Sequence, residues 1–300
     1  MPAETVITRA SGGRMPYSKG LMAQAISASG IAPDRAFELA RFIEGRLSHQ
    51  PERTIDTGTL SELAEEVVRG EEGEEAVRRF HQWQRLDRLD RPLVVMIAGA
   101  AGVGKSTLAT MLANRLGITR VIATDVIRQV LRAFFSRDFM PAVHYSSFEA
   151  GDAVEEPLGD DEGDPDLVGF GRQAESVATG VQAIVERACH ERTPMVIEGV
   201  HLVPGFLDEE LRSRCVPVEA VVAVEDYDIH RAHFGDRGED RPAQRYLDRF
   251  EQIRKLQDHL LERAREESVA VIDNVGVDEA LHRLIELVLA AAERVDPERS

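Results

Sequence analysis

The chain has 300 residues, 43% of them hydrophobic, and a net charge of −17, which allows one or two domains with a packed core. It shows no apolar run long enough to span a bilayer and no secretory signal, so we expect a cytoplasmic protein with no membrane partner; its acidity argues against a nucleic-acid partner. Its two cysteines, Cys189 and Cys215, form no CxxC or Cys/His cluster, so neither a disulfide framework nor a cysteine metal centre is predicted.

The sequence pattern in the first part of the chain predicts helices. Between residues 18 and 89, apolar residues recur at helical spacing. Gly30 ends the first of these helices and Pro33 opens the next. Thr59 and Glu62 form a capping box before a third helix, and residues 77–89 form a fourth. We therefore predict a small, mostly helical domain over residues 1–90.

After Pro92 the pattern changes to alternating strands and helices. Residues 93–98 form a continuous apolar run, as expected for a strand buried on both faces. Further strands are predicted at residues 121–123, 195–197, 218–224 and 269–272. Helical periodicity covers residues 108–116, 126–135, 174–189, 246–264 and 277–292. This alternation predicts an α/β domain over residues 91–300, with a parallel five-stranded sheet and helices on both faces.

One segment departs from this alternation. Residues 151–166 contain eight acidic residues, no basic ones, two prolines and three glycines. Such a composition indicates a mobile surface loop, and metal binding is the less favoured alternative.

A phosphate-binding loop follows the strand predicted at residues 93–98. The segment GAAGVGKS fits the pattern GxxxxGK[ST] and directly opens a helix. Its backbone N–H groups and the helix N-terminus attract phosphate, the lysine bridges the outer phosphates, and the serine offers a hydroxyl to Mg²⁺. The alternative is a glycine-rich turn without a ligand. The predicted nucleotide-binding residues are Gly99, Ala100, Ala101, Gly102, Val103, Gly104, Lys105, Ser106 and Thr107.

A second group follows the next strand. Asp125 stands at the carboxyl end of a predicted parallel strand, where ligands of such sheets bind. A carboxylate there could orient or deprotonate an acceptor hydroxyl. Arg128 and Arg132 share a helix face and could hold an acidic acceptor. The alternative for Asp125 is helix capping alone.

Glu198 and His201 follow the strand at residues 195–197. An acid at the end of an apolar strand resembles the second nucleotide-site strand of phosphate-loop enzymes, whose acid holds Mg²⁺ directly or through water. Glu198 is therefore the predicted metal residue, with His201 beside it. The alternative is a glutamate that only faces solvent.

Arginine is concentrated between the fourth and fifth strands. In small kinases this region carries a lid whose arginines close on the transferring phosphate. Arg237 and Arg241, near a loop-like stretch, are the predicted contacts. The alternative is a solvated helix face paired with nearby acids.

The combined motifs resemble the 2-phosphoglycerate kinase family known from methanogenic archaea. The resemblance covers nearly the whole chain. It lies in GAAGVGKSTLATMLANRLG, ATDVIRQVLR, MPAVHYSSFEA, GFGRQAESVATGVQAIVERA, VIEGVHLVPG, HRAHFGDRGEDRPAQRYLDRFEQIRKLQDHL and VIDNVGVDEAL.

That resemblance implies a phosphate-loop kinase fold. It also implies ATP-dependent phosphorylation of the free hydroxyl of 2-phosphoglycerate, giving 2,3-bisphosphoglycerate. The acceptor carries a carboxylate and a phosphate, so Arg128, Arg132 and the lid arginines would bind it. His144, Ser146 and Ser147 would donate hydrogen bonds to it. The acidic run at residues 151–166 departs from the family pattern beside the presumed acceptor loop.

The N-terminal segment VITRASGGRMPYSKGLMAQAISASG resembles an ATP-cone, a small regulatory nucleotide-binding module. The resemblance implies phosphate contacts at Arg9, Arg14 and Lys19. The alternative is a helical appendage without a ligand.

We therefore expect an enzyme that uses ATP and Mg²⁺ on a small acidic acceptor. The predicted catalytic residues are Lys105, Asp125, Arg237 and Arg241, and the predicted metal residues are Ser106 and Glu198. Two alternatives stay open. One is a kinase for another acidic metabolite, such as a sugar acid or phosphorylated acid. The other is a non-catalytic ATP-sensing regulator.

Overall fold

The structure is a computed structural model that describes residues 6–8, 14–49, 54–87, 91–154, 163–235 and 243–294. These residues form two compact units. The first holds the described residues up to 87 together with 114–117 and those from 285 onward, and the second holds the described residues of 91–113 and 118–284.

The first unit combines helices with a small sheet. Its elements are β1 (Val6–Thr8), β2 (Arg14–Pro16), α1 (Lys19–Ala28), α2 (Pro33–Ser48), β3 (Thr54–Asp56), α3 (Thr57–Glu72) and α4 (Glu74–Asp87). β1 pairs antiparallel with β2 and parallel with β3. These three-residue strands carry too little periodicity to be found from the sequence, which indicated only the helices.

Local signals set the helix boundaries of this unit. Pro33 opens α2 as predicted, because proline suits a first helical position where no N–H bond is lost. The capping box predicted at Thr59 and Glu62 is wrong. The N-cap of α3 is Asp56, whose side chain accepts a hydrogen bond from the Thr59 N–H at 2.9 Å. Apolar faces of the helices enclose a core that includes Ile26 and Phe80.

The second unit alternates strands and helices. Its strands are β4 (Leu93–Ala98), β5 (Val121–Ala123), β6 (Met195–Gly199), β7 (Val216–Ala223) and β8 (Ala270–Asp273). Its helices are α5 (Lys105–Leu116), α6 (Thr124–Phe134), α7 (Pro165–Glu191), α8 (Glu209–Arg214), α9 (Tyr227–Gly235), α10 (Ala243–Asp248), α11 (Phe250–Glu266) and α12 (Val277–Arg294), which runs into the first unit. Residues 141–144 and 147–153 form short 3₁₀ turns.

The five strands form the predicted parallel sheet, in the order β5-β6-β4-β7-β8. β4 lies at its centre and is buried along its whole length, as its unbroken apolar run requires. Among the described residues, no helix is both long and apolar enough to cross a membrane.

Three segments differ from their predictions. The helix predicted over residues 246–264 is interrupted at Arg249, between α10 and α11. α7 begins at Pro165, nine residues earlier than predicted. Part of the segment 151–166 is ordered into the second 3₁₀ turn and the start of α7, while its residues 155–162 lie outside the description.

Candidate active site

The register of the sheet brings three sequence motifs to one edge. Ala98 at the end of β4 pairs with Gly199 of β6, and Ala123 at the end of β5 pairs with Glu198. The phosphate loop, Glu198 and the start of α6 therefore leave neighbouring strands at the same level. This is the carboxyl edge, where parallel α/β sheets bind ligands.

The phosphate loop, residues 99–104, joins β4 to α5. Gly102 and Gly104 have φ angles of +87° and +82°, in the left-handed region that glycine adopts without strain. This conformation curls the loop over the N-terminus of α5, where unpaired N–H groups attract anions. Lys105 opens that helix, and its Nζ donates to the Ala100 carbonyl at 3.3 Å.

Ser106 and Glu198 meet across the sheet edge. The Ser106 hydroxyl donates to Oε1 of Glu198 at 2.9 Å, and Glu198 is buried. A hydroxyl and a carboxylate are hard oxygen ligands of the kind that Mg²⁺ binds together with water and nucleotide phosphates. Within the described chain, no group of three or more His, Cys, Asp or Glu residues is placed to hold a metal ion. The hydroxyl of Ser106 and the carboxylate of Glu198 fit a cation whose other ligands come from water and a nucleotide.

Asp125 lies in the first turn of α6 and faces the same edge. It does not cap the helix, because the N-cap residue is Ala123. Its Oδ1 accepts from Arg128 Nε at 3.1 Å. Burial opposes ionisation of the Asp125 carboxyl, whereas the charge and hydrogen bond of Arg128 and the charge of Lys105 favour it, and the pKa of Asp125 lies below its usual value. Asp125 is therefore a carboxylate at neutral pH.

Arg128 is buried and holds the loop that follows α6. Its Nη1 donates to the carbonyls of Val143 and Tyr145, at 3.1 and 2.8 Å. These bonds fix the segment that carries Ser146 and Ser147. Arg128 thus joins Asp125 to this segment, and it also lines the cleft described below.

His201 is buried behind the site, within a chain of hydrogen bonds. Gln173 Nε2 donates to the Ala142 carbonyl at 2.6 Å, so Gln173 Oε1 is left to accept from His201 Nε2 at 3.0 Å. His201 Nδ1 then accepts from the Thr124 hydroxyl at 2.8 Å. The ring is neutral in this arrangement, and burial lowers the pKa of His201 to about 4.

These elements surround a cleft of about 580 Å³. Two aromatic side chains, Phe148 and Tyr246, line it, and their ring centroids lie 5.2 Å apart. The lining residues are Ala101, Gly102, Gly104, Lys105, Ser106, Thr107, Ala123, Asp125, Val126, Arg128, Ser146, Ser147, Phe148, Glu198, Gly199, Val200 and Tyr246.

The structure brings many of the predicted site residues to this cleft, but not all. Arg132 is exposed one turn further along α6, and His144 Nε2 bonds the Phe135 carbonyl at 3.0 Å; neither residue lines the cleft. His201 lies behind the cleft, since only 1% of it is exposed. Arg237 and Arg241 lie outside the described residues.

The sequence interpretation did not single out Phe148 or Tyr246, and in the arginine-rich region it favoured Arg237 and Arg241 over Arg245. Arg245 pairs with Glu149 and donates to the Ser146 hydroxyl at 3.1 Å, so α10 is bonded to the segment beside the cleft. All three residues stand inside segments that carried the family resemblance, MPAVHYSSFEA and AQRYLDRF. Their position in those segments was the available signal.

The strand order, the glycine-rich loop that enters α5, and the Ser106–Glu198 pair define a phosphate-loop enzyme of the small-molecule kinase class. Curated relatives give the particular family. 2-Phosphoglycerate kinase of Methanothermobacter thermautotrophicus is 36% identical over 274 residues, 90% of this chain and 89% of its own. That of Thermococcus kodakarensis is 35% identical, over 91% of this chain and 92% of its own. The chain belongs to the 2-phosphoglycerate kinase family.

No protein-family model matches the chain. A gluconokinase from Sinorhizobium meliloti aligns over 68% of this chain and 93% of its own, with 18% identity and a TM-score of 0.36. A shikimate kinase from Acinetobacter baumannii aligns over 67% of this chain and 95% of its own, with 14% identity and a TM-score of 0.39.

Proposed function

We propose that this protein transfers the γ-phosphoryl group of ATP to the free hydroxyl of 2-phosphoglycerate, forming 2,3-bisphosphoglycerate and ADP. The observation that carries the proposal is the convergence of the phosphate loop, the Ser106–Glu198 pair and Asp125 on one cleft, in a chain of this family.

The nucleotide side of the cleft would hold ATP through its loop. N–H groups of residues 101–106 and the positive end of α5 would bind the β-phosphate. Lys105 would leave the Ala100 carbonyl, a long 3.3 Å contact, and move to the phosphates. An ammonium group gains more from a phosphate than from a neutral carbonyl, since charge-assisted bonds are the stronger ones.

Asp125 would orient the acceptor hydroxyl. The hydroxyl oxygen bonds to the γ-phosphorus while the bond from that phosphorus to the β–γ bridging oxygen breaks. Because the transition state of phosphoryl transfer is loose, the hydroxyl needs alignment more than early deprotonation. A carboxylate of low pKa suits this role, and it would pass the released proton to solvent.

Ser106 and Glu198 would hold Mg²⁺, which when bound neutralises charge on the β- and γ-phosphates. The Ser106 hydroxyl and the Glu198 carboxylate lie 2.9 Å apart, so both oxygens would be available to hold the same cation.

The acceptor would bind beside Asp125. Ser146, Ser147 and Arg128 line that side of the cleft and could donate hydrogen bonds to a carboxylate and a phosphate. Arg237 and Arg241 stay predicted lid contacts. Binding by Arg132, His144 or His201 receives no support from their positions. A different acidic acceptor and a non-catalytic ATP sensor are the alternatives.

The ATP-cone-like role of residues 1–90, the kinase domain at 91–300 and the cytoplasmic location also stay proposals. Of the implied ATP-cone contacts, Arg9 lies outside the described residues, and Lys19 pairs with Glu44 at 2.8 Å.

An acceptor panel tests the proposed activity. ADP release from ATP and Mg²⁺ would be followed with 2-phosphoglycerate, 3-phosphoglycerate, glycerate and a sugar acid. The proposal expects kcat/KM highest for 2-phosphoglycerate. A higher value for another acid would reassign the acceptor, and tight ATP binding without turnover on any acid would favour the sensor. Lys105→Ala serves as the inactive control.

A further inference from the structure

Outward-facing carbonyls of the phosphate loop are held by side chains from distant segments. A loop can turn its N–H groups toward a phosphate only if its carbonyls point away, and buried carbonyls need hydrogen-bond partners. Three successive carbonyls find such partners. His230 Nε2 donates to Ala101 at 2.8 Å, His233 Nδ1 to Gly102 at 3.0 Å, and Asn274 Nδ2 to Val103 at 2.9 Å.

The two histidines come from one face of α9, three residues apart, and so can reach adjacent carbonyls. His230 is fully buried, and its ring packs edge-on against Phe250 at 5.1 Å. Arg254 Nη1 lies 3.4 Å from His230 Nδ1. Arginine can only donate, so Nδ1 accepts and the proton of the neutral ring lies on Nε2, which faces the loop.

α9 also touches the loop through Phe234. A Cβ built on Gly102 would lie 2.4 Å from Phe234 Cζ, so the ring packs directly against the glycine. Substitution of Gly102 would therefore push the loop away from α9 as well as strain a left-handed residue. The helix and the loop form a single packed contact, with the two histidines at its polar side.

We propose that His230 and His233 are positioning residues for the nucleotide, which fix the carbonyls of Ala101 and Gly102 so that the adjacent N–H groups face the phosphates. Asn274 does the same for Val103 from the end of β8. None of the three is required to touch ATP. The inference rests on the proposed nucleotide site, but not on the identity of the acceptor.

His233 is the position to test, because it is only partly buried while His230 is enclosed. His233→Ala removes the donor. His233→Asn puts an amide N–H close to the position of Nδ1 and so restores a hydrogen-bond donor to the Gly102 carbonyl. His190→Ala, at an exposed histidine of α7, is the matched control. Calorimetric titration of the full-length chain with ATP and Mg²⁺ gives Kd, and melting temperatures report folding.

Loss of one oriented hydrogen bond should weaken ATP binding by roughly tenfold in His233→Ala. His233→Asn should recover at least half of this loss on a logarithmic scale, and His190→Ala should bind like the wild type. Steady-state kinetics should show a rise in KM for ATP and little change in KM for the acceptor. A purely structural role would lower the melting temperature without rescue by asparagine.

Equal ATP affinity in the wild type and His233→Ala would overturn the inference and leave the proposed kinase intact. So would His233→Asn binding as weakly as His233→Ala, with both variants folded. Conversely, ATP binding that shows the predicted loss and rescue, in a protein that fails to phosphorylate 2-phosphoglycerate, would support the inference and remove the proposed acceptor. If His233→Ala does not fold, the ATP affinity of His233→Asn decides, and a Kd more than fivefold weaker than the wild type would count against the inference.

Discussion

Acidification should destabilise this protein through His201, which is buried between Thr124 and Gln173 behind the active site. In the unfolded chain a histidine titrates near its ordinary value of 6.5, whereas burial lowers the pKa of folded His201 to about 4. The unfolded state therefore takes up the proton first as pH falls. The contribution is fully present above pH 6.5 and is lost progressively as pH falls toward 4.

The magnitude follows from the two pKa values. A shift from 6.5 to about 4 corresponds to about 3 kcal/mol once pH lies below both values. Between pH 7 and pH 5 the free energy of unfolding should fall by about 2 kcal/mol. At pH 5 the histidine is mostly protonated in the unfolded chain, whereas folded His201 is still mostly neutral. Asp125, whose pKa is lowered, adds its own loss only at more acidic pH, since carboxylates titrate lower.

Urea unfolding followed by circular dichroism would measure this loss at pH 7, 6 and 5. The non-titrating variant His201→Gln should be less stable than the wild type at pH 7, because it breaks the buried hydrogen-bond chain. The difference in unfolding free energy between the wild type and His201→Gln should be about 2 kcal/mol smaller at pH 5 than at pH 7. His190→Gln, at an exposed histidine, should follow the wild-type pH dependence. An NMR titration that places the pKa of His201 near 6.5 would refute the reasoning. So would a difference in unfolding free energy between the wild type and His201→Gln that stays constant with pH.

Three substitutions probe the proposed chemistry directly. Lys105→Ala should lower kcat by about 10²–10³-fold with an unchanged melting temperature, because it removes one cation from the transferring phosphates; near-wild-type turnover in the purified variant would contradict its role. Asp125→Asn should lower kcat by about 10²-fold or more with little change in KM for ATP. An effect confined to KM for ATP would place Asp125 on the nucleotide side of the cleft and not on the acceptor side. Glu198→Gln should raise the Mg²⁺ concentration needed for half-maximal activity by roughly tenfold, and an unchanged metal titration would remove Glu198 from the metal site.

The sheet was predictable because its central strands, β4 and β6, are buried along their whole length. Such strands read as unbroken apolar runs, and β4, Leu93–Ala98, is the clearest of them. The convergence of the phosphate loop with Asp125 and Glu198 followed from the same reasoning, since the carboxyl ends of parallel strands share one edge.

The orientation of individual side chains was not predictable. Arg128 and Arg132 share a helix face by spacing, but they lie one turn apart, about 6 Å along the axis. The cleft extends along α6 only as far as Arg128, so Arg128 lines it and Arg132 is exposed. His201 resembled a ligand because it follows Glu198 at a strand end. In the structure His201 is buried and hydrogen-bonded to Gln173, which comes from a helix distant in sequence.

Transfer of labelled phosphate from ATP tests the central claim most directly. The wild type, with γ-³²P-labelled ATP, Mg²⁺ and unlabelled 2-phosphoglycerate, should produce ADP and 2,3-bisphosphoglycerate that carries the label on the newly esterified hydroxyl, in equal amounts. Label that appears only as inorganic phosphate, at a rate unaffected by 2-phosphoglycerate, would contradict the account.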